Sequence, residues 1–137
     1  MLFGHTAFAQ NTNTLLSKYY SVKNALVSSD VKAASEAIND LQKKVKSENP
    51  FKQKDELNKA VDKLAKASSV EKQRAVFNDV STTMWQIVKG TDQVSQPVYY
   101  QYCPMKNAYW LSNEAAIKNP YYGTSMLTCG KVSETNK

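Results

Sequence analysis

The sequence predicts a mainly α chain: an antiparallel four-helix up-down bundle followed by a short irregular or β segment that holds both cysteines. Three observations lead there. Apolar residues between 14 and 89 recur at steps of three and four, the period of one helix face. Cap residues and short polar breaks divide that stretch into four. Composition then changes at about residue 90, where the charged helical pattern gives way to Tyr, Pro, Gly, Cys and Met.

In the first helix, over 14–28, Leu15, Tyr19, Val22 and Leu26 form the stripe. Asp30 is placed to cap the second, where Val31, Ala34, Ile38, Leu41 and Val45 repeat on one face. Asn49-Pro50 reads as a cap with proline at the first helical position, where its missing N–H costs nothing. The third helix then points Leu57, Val61 and Leu64 inward. Ser68 with Glu71 has the spacing of a capping box for the fourth, whose inward residues are Val70, Phe77, Val80, Met84 and Ile87 and whose stop is Gly90. Very short connections make consecutive helices antiparallel neighbours. Met84 and Trp85 read as packing residues, not as a cofactor box.

Composition limits the functions open to such a chain. At 137 residues it is one domain, 10–137, with the bundle at 14–89 and a Cys/Met/aromatic segment at 97–130. No apolar run reaches the ~20 residues that cross a bilayer, so no membrane span is expected. The net charge is +6, but seventeen of the eighteen basic residues are Lys, interleaved with Asp and Glu, which reads as solvated helix faces and argues against nucleic acid as a partner. The single His, His5, precedes the helices, and no carboxylate pair or C-x-x-C step is present, so the chain is not expected to be an enzyme. Met1–Ala9 ends in Ala7-Phe8-Ala9, the small-x-small pattern of a signal-peptide cleavage site, with Gln10 as first mature residue. That predicts a periplasmic or secreted protein in an oxidising setting.

The unusual residues are concentrated late. Positions 97–130 hold both cysteines, two of four Met, seven of fourteen aromatics and three of four Pro, which rules out another amphipathic helix. Val98–Tyr102 reads as a strand entering Cys103-Pro104-Met105. Ser112 is placed to cap a short helix to Ile117, and Met126–Cys129 reads as a second strand. Paired, the strands would bring Cys103 to Cys129, with Met105 and Met126 nearby. Thiolate and thioether are soft donors that favour Cu(I) or Ag(I) over harder ions. Cys103, Met105, Met126 and Cys129 are therefore candidate metal ligands, with Trp110 as a shielding aromatic. Two cysteines in a secreted chain also suit a disulfide, which on a chain-entropy basis would add ~3–4 kcal/mol. Unpaired structural thiols are a third reading.

The run Tyr102-Cys103-Pro104-Met105, Tyr109-Trp110-Leu111-Ser112, Asn119-Pro120-Tyr121-Tyr122-Gly123, Met126-Leu127 and Cys129-Gly130 resembles a bacterial domain family of unknown function. Its members occur as small secreted proteins and as C-terminal extensions of periplasmic adaptor subunits of copper/silver efflux pumps. Cys-Pro-Met is also similar to a short heavy-metal-binding segment of copper ATPases and efflux adaptors, although Lys106-Asn107 stands here where that segment continues His-Pro. The resemblance implies extracytoplasmic copper or silver handling and an efflux adaptor as partner. The alternative is a secreted, disulfide-stabilised interaction domain that binds no metal. The oligomeric state is left open.

Overall fold

In a computed structural model, residues 3–137 are described, with side chains from Thr12 onward. Four helices, α1 (Phe3–Val27), α2 (Val31–Ser47), α3 (Lys54–Ala65) and α4 (Val70–Lys89), precede a small sheet. Its strands are β1 (Val98–Cys103), β2 (Ala108–Ser112) and β3 (Lys131–Asn136), antiparallel in the order β2-β1-β3. The chain is mainly helical, and each helix contacts the next. The side chains of Met1–Asn11, on which the export-signal reading falls, lie outside the described residues.

The apolar stripes become the core. Leu15, Tyr19, Val22, Leu26, Ala34, Ile38, Leu41, Val45, Leu57, Val61, Leu64, Phe77, Val80, Met84 and Ile87 are all buried, in one cluster that also takes in Trp85, Tyr100, Trp110 and Tyr121. Val31 and Val70 depart from the expectation: Val31 stays 41% exposed and Val70 is only half-buried outside the core cluster, each being the first residue of its helix.

Three helix starts are corrected, the first being that of α1, which begins at Phe3 and runs through the polar Asn11–Thr14 stretch instead of starting at residue 14. Asp30 does cap α2, its carboxylate accepting from the Ala33 N–H at 3.0 Å. Asn49-Pro50 does not open α3: the helix begins at Lys54, after a turn in which the Lys54 N–H donates to the Phe51 carbonyl at 3.1 Å. Phe51 packs against the core, and the Lys54 ammonium donates to the Glu48 carbonyl, so the intervening residues form a tied loop. The cap of α4 is Ser69, one residue beyond Ser68, with its hydroxyl accepting from the Lys72 N–H at 3.2 Å. The third helical position is then Lys72, so Glu71 cannot complete a capping box. Gly90 ends α4 as expected.

After α4 the expected strand is present as β1, but the other two local expectations change. Ser112 is the last residue of β2, paired with Tyr99, and its hydroxyl accepts from the Glu114 N–H at 3.1 Å in a local turn. Gln101 Nε2 takes the carbonyls of Glu114 and Ala115, at 3.0 and 3.1 Å, which holds 113–116 as a bend instead of a helix. Met126–Cys129 is also a turn, its Cys129 N–H donating to the Met126 carbonyl at 3.1 Å. The strands that flank β1 are instead 108–112 and 131–136.

Hydrogen bonds from two helices and the loop after β2 close one edge of the sheet. The Tyr109 N–H donates to Asn78 Oδ1 at 2.8 Å, and the Leu111 N–H to the Tyr19 hydroxyl at 2.9 Å. The Tyr121 hydroxyl donates to the Tyr109 carbonyl. Three side chains thus occupy backbone groups that an edge strand otherwise leaves open.

Candidate metal centre

Cys103 is the last residue of β1, pairs with Ala108 of β2, and is completely buried. The connecting loop, Pro104–Asn107, is closed by the Asn107 N–H donating to the Pro104 carbonyl at 3.3 Å, with Asn107 at φ 51°. Asparagine tolerates that left-handed conformation better than most residues. The Tyr102 hydroxyl fixes it further by donating to Asn107 Oδ1 at 2.6 Å.

Cys129 arrives from the other side, held by Asn119. This buried amide donates from Nδ2 to the Cys129 carbonyl at 2.7 Å, and its Oδ1 accepts from the Tyr121 N–H at 2.8 Å. Its backbone N–H donates to the Leu127 carbonyl at 2.7 Å, and its carbonyl accepts from the Gly123 N–H at 2.9 Å. One residue therefore organises the whole 119–129 loop. Gly130 follows at φ +144°, where an added Cβ would lie 2.9 Å from both the Trp110 ring and the Tyr102 carbonyl. Only glycine lets the chain pass that close to the end of β1.

The outcome is that the two cysteines are neighbours, and both are free thiols. Burial, and then the neighbouring Cys103 thiol, push the Cys129 thiol above its ordinary range. Trp110 is fully buried and places its ring edge against the Cys129-Gly130 step. Of the four candidate sulfurs, the structure thus brings the two thiols together. Met105 is 65% exposed on the hairpin loop and Met126 39% exposed, joined to the Cys129 turn through its backbone. Among the described residues no three His, Cys, Asp or Glu side chains gather as a metal cluster.

Several residues that build this site were not singled out from sequence. Arg74 joins three segments: its Nε donates to the Pro120 carbonyl at 2.7 Å, and its Nη2 to the Leu26 carbonyl at 2.6 Å and Ser29 Oγ at 2.9 Å. Gly123, at φ +58°, lies so close to this guanidinium that a Cβ would sit 2.8 Å from Nη2. Tyr19 links α1 to α4 through Ser81 at 2.6 Å and to β2 through Leu111. The one available signal was that Arg74 is the sole arginine in a lysine-rich chain.

Residues 15–96 match the model of a family described as a protein of unknown function, DUF3347. The chain belongs to the DUF3347 family. The match covers α1 from Leu15 through α4 and ends before β1, so the thiol pair lies beyond the matched residues. Comparison with curated proteins and with solved structures gives no match for this DUF3347 chain.

Proposed function

We propose that this chain is an extracytoplasmic soft-metal protein that holds one Cu(I) or Ag(I) between Cys103 and Cys129 and serves metal efflux or resistance. The observation that carries the reading is the adjacency of two free thiols, built by a fully buried strand residue and an Asn119-tethered turn. Two thiolates suit a monovalent ion that accepts low coordination, whereas zinc sites ordinarily use four ligands. Met105 and Met126, exposed and within three residues of these cysteines in the chain, would receive or release the ion during transfer to a partner such as a periplasmic efflux adaptor. The four helices, read as an up-down-up-down bundle on the strength of their short connections, serve as the rigid support.

The thiol adjacency also favours a second reading, in which the same cysteines close a disulfide and the protein is a metal-free interaction domain. One experiment separates them. Reduced protein, titrated against a Cu(I) chelator, is expected to take one equivalent. Cys103→Ser and Cys129→Ser each abolish tight binding, and Met105→Leu or Met126→Leu weaken it with the fold intact. Because metal must displace the proton of a thiol whose pKa is raised, affinity is expected to increase with pH across the neutral range. Reduced wild type that takes no copper, or that binds equally well without both thiols, overturns the proposal in favour of the disulfide reading.

A further inference from the structure

A cleft of about 520 Å³ lies between α4, the β1–β2 loop and the 121–125 segment, and neither cysteine lines it. Its walls include Arg74, Asn78, Lys106, Asn107, Tyr122 and Glu71. What distinguishes it is the state of its polar groups. Asn78 and Asn107 both use their carbonyl oxygens within the fold, accepting from the Tyr109 N–H and the Tyr102 hydroxyl, which leaves the donating NH₂ ends for something else. Arg74 uses Nε and Nη2 on two carbonyls and a hydroxyl, all uncharged acceptors, and Nη1 is left over. The Lys106 ammonium sits 5.0 Å above the centre of the Tyr122 ring.

Neither cation has a carboxylate partner within ion-pair distance among the described residues. Glu71 is the one acidic residue in the wall, against two cations. Donors therefore exceed acceptors in a concave, partly sheltered place, where a compact anion meets less screening than on an open surface. An anionic, acceptor-rich guest answers both the unused donors and the excess positive charge; a neutral acceptor answers only the donors.

We infer that this cleft is a binding site for a small oxyanion, a phosphate or carboxylate group, held by Arg74 and Lys106 with the amide NH₂ groups of Asn78 and Asn107. The inference is independent of the thiol site and needs no metal. Glu71, the only opposing charge, limits its affinity, so removing Glu71 and removing Lys106 have opposite effects.

The test is an NMR titration of ¹⁵N-labelled, reduced, metal-free full chain with sodium phosphate and, separately, sodium succinate, each against chloride at matched ionic strength. Saturable shifts are expected at the side-chain amides of Asn78 and Asn107, with dissociation constants on the order of 1 mM or tighter. Saturation by phosphate alone identifies a phosphoryl-bearing ligand, and saturation by succinate alone a carboxylate. Lys106→Gln, on an exposed loop residue, is expected to weaken binding about twofold to fivefold, and Glu71→Gln to strengthen it by a similar factor. Shifts no different from the chloride control, or two variants that move binding in the same direction or leave it unchanged, overturn the site. Because metal is absent throughout, none of these outcomes bears on copper binding.

Discussion

The helices and the segment after them bury their residues by different chemistry. Between Leu15 and Val88 the interior is mostly aliphatic: Leu26, Ile38, Leu41, Leu57 and Leu64 are fully enclosed, and no hydrogen bond from their side chains is needed to place them. Between Val98 and Gly130 the enclosed residues include two amides and a phenol, Gln101, Asn119 and Tyr121, each with a group committed to a named backbone partner. Aliphatic packing tolerates exchange of one shape for another of similar volume. A hydrogen-bonded loop does not, since a lost partner leaves a buried polar group unsatisfied. The second region is therefore where position is specified most narrowly, and it is where the two thiols sit.

Raising pH tests whether the two regions fail together, and it has the largest expected effect. Burial raises the pKa of Tyr19 and Tyr20 on α1 and of Tyr121 in the C-terminal segment far above the ordinary phenol range, and pushes Tyr100 on β1 up to about 12. For a group whose pKa is higher folded than unfolded, the stabilisation is complete below the unfolded value, about 10 for tyrosine, and is lost as pH rises beyond it. Tyr19 is fully buried where α1 meets Ser81 on α4 and Leu111 on β2, so the hydration that a phenolate needs opens both regions. Helical circular dichroism and tyrosinate absorbance, followed from neutral pH to strong alkali, are expected to change in one coincident transition above pH ~10. Tyrosinate appearing at ordinary phenol pH while the helices persist would show that these rings are not held as described.

A second intervention acts on the C-terminal region alone. Asn119→Ala removes the amide that holds the Cys129 carbonyl and the Tyr121 N–H. With a buried N–H and a partly buried carbonyl left without a partner, the expected cost is about 1–4 kcal/mol, measured by urea unfolding. Its local signature is sharper than its global one. Cys129, released from its turn, is expected to react faster with a thiol reagent, while the helical content of folded protein is unchanged. Equal thiol reactivity in wild type and variant would mean that Asn119 is not what places Cys129.

The contrast also explains what could be read from the sequence. A stripe such as Ile38, Leu41 and Val45 is a local pattern, and its burial follows from helical period alone. β1 was legible for a similar reason, as a Tyr-rich run entering a Cys-Pro turn. The bend at 113–116 was not, because the cause is Gln101, more than ten residues away, taking two carbonyls that a helix would have used. Nor was the route by which Cys129 reaches Cys103: a strand pairing was expected, and a turn tied to Asn119 does it instead. Side-chain-to-backbone bonds over such distances leave no periodic trace. That Cys103 and Cys129 approach each other is an expectation the spacing supports; the residues that hold Cys129 in place are not readable from it.

The smallest effect tests a boundary inside the helical region. Sequence spacing places the start of α4 at Ser68, and the structure moves it to Ser69, whose backbone is extended and whose hydroxyl accepts from the Lys72 N–H. The two serines are adjacent and chemically identical, so position alone separates them. Ser69→Ala should remove an N-cap and cost about 1 kcal/mol. Ser68→Ala touches no cap and should lie within about 0.5 kcal/mol of wild type. Urea midpoints of the two variants, taken at unchanged m-value so that they report stability alone, decide the register. If Ser68→Ala is the costly one, the helix begins one residue earlier, Glu71 regains its place as the third helical residue, and the capping box expected from sequence is restored.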